Sequence, residues 1–141
     1  MNAKQYLNQY GDIVKKIQRY RDRIASVENT LKGFDLDGMP RSPNVGDPTK
    51  NAALNLAILG EQLKLAKLEA EILKQEITGN IERMRTPKYK QLLYDRYIKF
   101  MTWEEIAQDM DYFRHGKVYE VKSVAGYMRY QAEREFEEVM K

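Results

Sequence analysis

Apolar residues in the first thirty-one positions recur in steps of three and four. They are Tyr6, Tyr10, Ile13, Ile17, Tyr20, Ile24, Val27 and Leu31. This spacing puts them on one face of a helix and is typical of a coiled-coil seam. Lysine and arginine dominate the positions between them, which predicts a solvated, basic opposite face. Gly33 is expected to end the helix.

A second helix is predicted after a loop at residues 32–48, which contains three prolines and several glycine and aspartate residues. It runs from about Thr49 to Arg85, and Pro87 is expected to close it. Its seam has the same spacing and consists of Leu56, Leu59, Leu63, Ala66, Ala70, Leu73, Ile77, Ile81 and Met84. Together the two helices predict a long antiparallel hairpin over residues 1–85.

The second helix carries a further apolar face. It consists of Leu54, Ile58, Leu65, Leu68 and Ile72. A two-helix hairpin covers one face only, so this second face needs another partner, either the C-terminal domain or a second protomer. We expect a homo-oligomer, with a dimer favoured.

Residues 87–112 predict two short helices joined by a tight turn. One apolar stripe contains Tyr89, Leu92, Leu93 and Tyr97, and the next contains Trp103, Ile106, Ala107 and Met110. Thr102 and Glu105 have the spacing of a capping box, so the second helix should start at Trp103. Ala107 is small at the point where the two helices of a helix-turn-helix cross closely.

The segment FRHGKVYE at residues 113–120 places a His-Gly pair between β-prone residues, which predicts a small β-hairpin. Helical spacing then resumes, with Val121, Val124 or Ala125, Met128, Ala132, Phe136 and Val139 facing inward. The exposed residues early in this helix are Lys122, Ser123, Gly126 and Arg129, and glutamates crowd its tail. Basic and small residues at the start of a helix suit entry into the DNA major groove.

Length and composition limit the class of protein. A chain of 141 residues fits one domain, or one domain with an accessory helical element. The net charge is only +3, so contact with a polyanion must come from local clustering. There is no cysteine, no apolar leader and no apolar run long enough for a membrane span. We expect a soluble cytoplasmic protein without membrane contact.

Catalytic and metal chemistry have no support in the sequence. The chain contains no GxxxxGK[ST], GxSxG, HExxH or CxxC pattern, and His115 is its only histidine. Neighbouring glutamates such as Glu104 and Glu105 point about 100° apart on a helix and cannot share a substrate. We therefore expect no enzymatic activity, metal, cofactor or small-molecule substrate.

Two segments carry a family resemblance. LLYDRYIKFMTWEEIAQDM and the later VAGYMRYQAEREFEEV resemble the region-four-like helix-turn-helix of sigma factors and of phage transcriptional regulators of the ArpU type. SPNVGD at residues 42–47 is similar to a loop of that phage family. The resemblance implies an all-α protein with a DNA-binding domain at 87–141. It also implies a phage or prophage regulator that binds double-stranded DNA and contacts RNA polymerase in the bacterial host.

One departure from the family leaves the interface open. Relatives pass between the last two helices in three or four residues, whereas this chain has the 113–120 insertion. Either the insertion is a wing that brings Arg114, His115 and Lys117 to the DNA backbone, or it widens the turn and spoils groove entry. Two other functions stay open: a packaging protein of the terminase small-subunit kind, and a protein adaptor that uses the second apolar face.

Overall fold

The computed structural model describes residues 1–35, 48–112 and 120–141, and these are helical almost throughout, with no strand among them. The expected all-α class is confirmed at this level. The helices are α1 (Ala3–Asp35), α2 (Pro48–Glu82), α3 (Pro87–Tyr97), α4 (Trp103–Tyr112), α5 (Val121–Ser123) and α6 (Arg129–Met140). A π-helical segment, Val124–Met128, joins α5 to α6. We call the continuous run of residues 121–140 the C-terminal helix. The predicted β-hairpin and most of the predicted loop lie outside the described residues.

Two helix ends differ from those predicted. The first helix passes through Gly33 and ends at Asp35, since a glycine in a long helix costs only about 1 kcal/mol. The second helix ends at Glu82, and Pro87 opens α3 instead of closing α2. Thr86 is the extended N-cap of α3, and a proline at the first helical position lacks only an N–H that would have no helical partner.

The chain forms two compact units, and the first of them is built from two separate stretches of sequence. The first contains residues 1–12 and 71–141, and the second contains residues 13–70. The division predicted from the sequence, a helical hairpin over 1–85 and a DNA-binding domain over 87–141, stays a prediction. Helices α1 and α2 each contribute to both units, so the first unit combines two separate stretches of the chain, whereas the second is one continuous stretch.

The first unit has a core of buried apolar side chains. They come from the start of α1, from the end of α2 and the turn after it, from α3 and the residue after it, from α4, and from the C-terminal helix after α5: Ala3, Leu7, Ile77, Ile81, Met84, Leu92, Leu93, Tyr97, Ile98, Ile106, Ala107, Val124, Met128, Ala132 and Phe136. The Tyr6 ring packs on Phe136, with ring centroids 5.8 Å apart. The Tyr6 hydroxyl donates to Glu76 Oε1 at 2.8 Å. Burial, followed by this bond to Glu76, raises the pKa of Tyr6 to about 12.

The second unit is lightly packed. Ile17, Ala66 and Ala70 are buried, and the other seam residues of this stretch are half-buried. The second apolar face of α2 lies in solvent, with Leu54, Ile58, Leu65 and Leu68 each 49–60% exposed. Ile72, on the part of α2 in the first unit, is 60% exposed. None of the described helices has the length and apolar content to cross a membrane.

Candidate nucleic-acid interface

Helix α4 begins where its capping residues predict. The Glu105 N–H donates to Thr102 Oγ1 at 3.2 Å, and the Thr102 hydroxyl is 3.2 Å from the Glu105 carboxylate. This arrangement satisfies one of the free N–H groups of the first turn. Ile106 and Ala107 are buried in the core of the first unit. Helix α4 therefore contacts both α3 and the start of the C-terminal helix.

The turn between α3 and α4 contains Phe100 in the left-handed backbone region, with φ of 59°. Its ring stacks on Tyr10 with centroids 5.7 Å apart and an interplanar angle of 6°. A Cβ on Gly11 would lie 3.4 Å from the Phe100 ring, so glycine lets α1 pass close to this turn. The Met101 N–H donates to the Asp95 carbonyl at 2.9 Å, which fixes the chain as it enters α4.

The C-terminal helix has a buried face and an exposed face. Val124, Met128, Ala132 and Phe136 are buried, one on each successive turn. Val121 was expected to face inward, but it is 36% exposed. It lies in the first turn, before the π-helical segment.

Three of the sequence-predicted DNA-binding residues share the exposed face of this helix. Lys122, Ser123 and Gly126 are all exposed, and Gly126 has no heavy atom within 4 Å of the position a Cβ would occupy. Tyr127 and Tyr130 extend the same face and are 68% and 54% exposed. We call these five residues the exposed stripe.

Arg129 is in a different environment from the exposed stripe. Its side chain is 36% exposed, and its Nε lies 3.9 Å from the Glu133 carboxylate. Its guanidinium Cζ lies 5.7 Å from the centroid of the Trp103 ring. The Cζ of Arg96, on α3, lies 4.5 Å from the same ring. Sequence reasoning missed Arg96 because no spacing rule connects residues on two separate helices.

The glutamates at the end of the C-terminal helix contact the chain itself. Glu133 accepts from the Tyr97 hydroxyl at 2.9 Å, and Glu137 accepts from the Ala3 N–H at 3.1 Å. Glu135 accepts from the N–H groups of Arg85 and Thr86 at 2.8 and 2.9 Å. Glu138 pairs with Arg85 at 3.8 Å. These four acidic side chains therefore stabilise the first unit.

Burial and the neighbouring Glu133 carboxylate raise the pKa of the Tyr97 hydroxyl well above its usual range. Ionising the phenol would place a second negative charge beside Glu133, so Tyr97 remains a proton donor to that carboxylate. Tyr97 is itself buried in the core. The bond thus fixes Glu133, and through it the position of the Arg129 side chain.

Asp95 is the buried acidic side chain of the core, with 1% exposure. Gln91 Nε2 donates to its carboxylate at 2.7 Å, and Lys99 Nζ lies 3.9 Å away. Burial raises the pKa of Asp95, and the bond from Gln91 opposes that shift. Two partners and nearby backbone bonds indicate a structural role, because they hold α3 to the turn that follows it.

Arg114 and Lys117, the predicted backbone contacts, and His115 lie outside the described residues. Across 1–35, 48–112 and 120–141, no group of three or more acidic or histidine side chains is arranged to hold a metal ion. Comparison of the chain with family models, curated proteins and solved structures gives no match.

Proposed function

We propose that this protein binds double-stranded DNA site-specifically and that the C-terminal helix enters the major groove. In this proposal α4 and the C-terminal helix are the two helices of a helix-turn-helix, and α1 with α2 form an antiparallel hairpin that carries it. The observation that carries the proposal is the exposed stripe on a helix whose opposite face is buried against α3 and α4. A helix held on a core in this way can present one face to a base-pair edge.

The chemistry of the exposed stripe supports DNA as the ligand. Lys122 can contact phosphate or guanine, Ser123 can donate or accept at a base edge, and Gly126 allows close approach. Tyr127 and Tyr130 each combine an apolar ring with a hydroxyl that can bond the sugar-phosphate backbone. The glutamates that would repel DNA lie later on the helix and make contacts within the chain.

We further propose a phage or prophage transcriptional regulator that acts as a homo-oligomer, with a dimer favoured, in the cytoplasm of a bacterial host. The resemblance of residues 92–110 and 124–139 to sigma-like and ArpU-type proteins supports the regulatory role. The exposed apolar face of α2 supports oligomerisation, since solvent contact with several adjacent leucine and isoleucine side chains is unfavourable. Contact with the host RNA polymerase follows from the same resemblance.

The test is a titration against fragments of the protein's own genome at two salt concentrations. We expect a selected fragment to bind more tightly than random DNA, with affinity falling steeply as salt rises. The variant Lys122→Ala with Ser123→Ala should lose the selected fragment. The matched control Lys67→Ala removes one exposed positive charge from α2 and should still bind the selected fragment. A wild-type protein that binds no fragment at low salt would overturn the proposal.

A protein adaptor is the second candidate, and the exposed apolar face of α2 is the observation that favours it. An adaptor would bind its partner through Leu65 and Leu68 and would show no salt-sensitive affinity for DNA. The fragment titration distinguishes the two functions. Retained DNA binding by a Leu65→Ser, Leu68→Ser variant would assign α2 to assembly and the C-terminal helix to DNA.

A further inference from the structure

The Trp103 ring is approached by two guanidinium groups from different helices. Arg96 belongs to α3 and Arg129 to α6, and their Cζ atoms lie 4.5 and 5.7 Å from the ring centroid. A guanidinium near an aromatic ring gains a cation–π attraction while its N–H edge remains able to donate. Arg96 is also held by a bond from Nη1 to the Met101 carbonyl at 3.0 Å. Both arginines are therefore positioned by the fold.

The two arginines near Trp103 have fewer acidic partners than positive charges. In the part of the chain that the structure describes, Glu133 is the one carboxylate within ion-pair distance of either arginine. Glu133 also accepts a bond from Tyr97, so part of its capacity is already used. The Arg129 Nε is buried and makes no hydrogen bond to any described group. Among Arg96, Arg129 and Glu133 there are two positive charges and one negative charge, and the negative one is shared with Tyr97.

We propose that Arg96 and Arg129, each held beside the Trp103 ring, bind the phosphate backbone of the DNA. Phosphate is suited to this cluster because guanidinium groups donate paired, charge-assisted bonds to its oxygens. The proposal rests on the proposed DNA-binding function and assigns Arg129 a different role from the base contact expected from the sequence. Arg129 anchors the backbone, and the exposed stripe reads the bases.

The location of the pair favours a polynucleotide over a small anion. Lys122 lies two turns before Arg129 on the C-terminal helix and is exposed, so the pair continues a basic row along that helix. Glu104 and Glu105 are exposed in the first turn of α4 and disfavour anion binding by that helix end alone. The arginine side chains therefore supply the attraction. Fixed side chains lose little conformational entropy when the phosphate binds.

The experiment measures affinity against salt for a selected fragment and for a random fragment. Arg96→Gln removes one charge and should weaken binding to both fragments about tenfold, consistent with loss of one charge-assisted bond. The slope of log affinity against log salt should become shallower by about one. Arg96→Lys keeps the charge and should keep the slope. Lys67→Gln, on α2, is the matched control and should change neither the affinity nor the salt slope.

Each outcome bears on a different claim. An unchanged salt slope in Arg96→Gln, with wild-type protein still selecting its fragment, would overturn the phosphate site and leave the proposed function intact. If Arg96→Gln weakened binding to the selected fragment but not to the random fragment, Arg96 would be a base contact, and this would also overturn the inference. Wild-type protein that binds neither fragment would overturn both claims. Because Arg96→Gln can also disturb Trp103, Arg129→Gln gives an independent measurement of the slope, and thermal unfolding checks each variant.

Discussion

At the scale of single residues, Asp95 is an acidic side chain held inside the core of the first unit. It lies three residues after Leu92 on α3, so helical spacing alone places it on the buried face, and it is buried. Its residue type argues for the surface, because an unpaired carboxylate in a core is unfavourable. The sequence does not reveal that Gln91 and Lys99, one turn away on either side, are its partners.

The buried Asp95 predicts an unusual dependence of stability on pH. Its folded-state pKa is raised above the ordinary value of 3.8, so the folded protein holds this proton more tightly than the unfolded chain. That contribution is full below the unfolded pKa and is lost as pH rises through the folded pKa. We expect wild type to lose stability relative to Asp95→Asn between about pH 3 and pH 7. Urea unfolding at both pH values measures this difference, and a constant difference would contradict it.

At Phe100 we expect substitution by glycine to destabilise the protein less than substitution by alanine. Left-handed backbone costs a residue with a Cβ about 1 kcal/mol, and glycine avoids this cost. Both Phe100→Gly and Phe100→Ala lose the stacking on Tyr10, so they differ chiefly in the backbone term. The glycine variant should be more stable than the alanine variant by about 1 kcal/mol, opposite to the order within a helix. Denaturant unfolding of the pair tests this, and equal stability would argue against strain at the turn.

At the scale of helices, the sequence predicts starts better than ends. Thr102 and Glu105 form a local arrangement within one turn, so the start of α4 at Trp103 could be read directly. The ends depend on distant contacts. Helix α2 stops at Glu82, and the Arg85 and Thr86 N–H groups that follow it are bonded by Glu135, fifty residues away. Sequence spacing contains no information about that partner.

Glu135 should therefore be important for the turn between α2 and α3. Glu135→Ala leaves two N–H groups without their acceptor and should cost about 1–3 kcal/mol of unfolding free energy. Glu135→Gln keeps a carbonyl oxygen as acceptor and should cost less. Glu138→Ala is the control, because its pair with Arg85 is largely exposed and should contribute less than about 1 kcal/mol. Thermal or urea unfolding compares the three, and a Glu138 effect as large as that of Glu135 would contradict the assignment.

The π-helical segment is the element that the sequence pattern could not predict. Val124 and Met128 are spaced as in an ordinary helix. Met128 was expected to face inward, with either Val124 or Ala125, and Val124 and Met128 are the buried residues. The Arg129 N–H nevertheless reaches back to the Val124 carbonyl, one residue further than in an α-helix. The spacing of apolar residues is compatible with either backbone. Only the hydrogen bonds distinguish them.

At the scale of the whole chain, periodicity predicts helical content and most of the core, whereas the grouping into two units could not be predicted. Seam residues such as Ile77, Ile81 and Met84 are buried as expected. Ala3 and Leu7 were absent from the predicted seam, although both are buried in the first unit. They precede or interrupt the three-four spacing of the tyrosines, and their partners come from the other end of the chain.

The exposed apolar face of α2 predicts the assembly state. We expect the wild-type protein to be a dimer, and Leu65→Ser with Leu68→Ser to shift it to monomer while helical content is kept. Lys64→Ser with Lys67→Ser changes neighbouring exposed positions of the same helix and should leave the dimer intact. Light scattering coupled to size exclusion measures the mass of each. Monomeric wild-type protein at high concentration would show that this face does not mediate self-association.

The contact between Glu137 and Ala3 joins residues 134 positions apart. A ribosome that has just made α1 has produced Leu7 and Tyr6 but none of the α6 side chains that will cover them. The first unit can therefore close only after residue 137 has left the exit tunnel, and bringing such distant segments together slows folding. Until then the apolar start of α1 lacks the side chains that cover it in the folded protein, and we expect this segment to be exposed during synthesis.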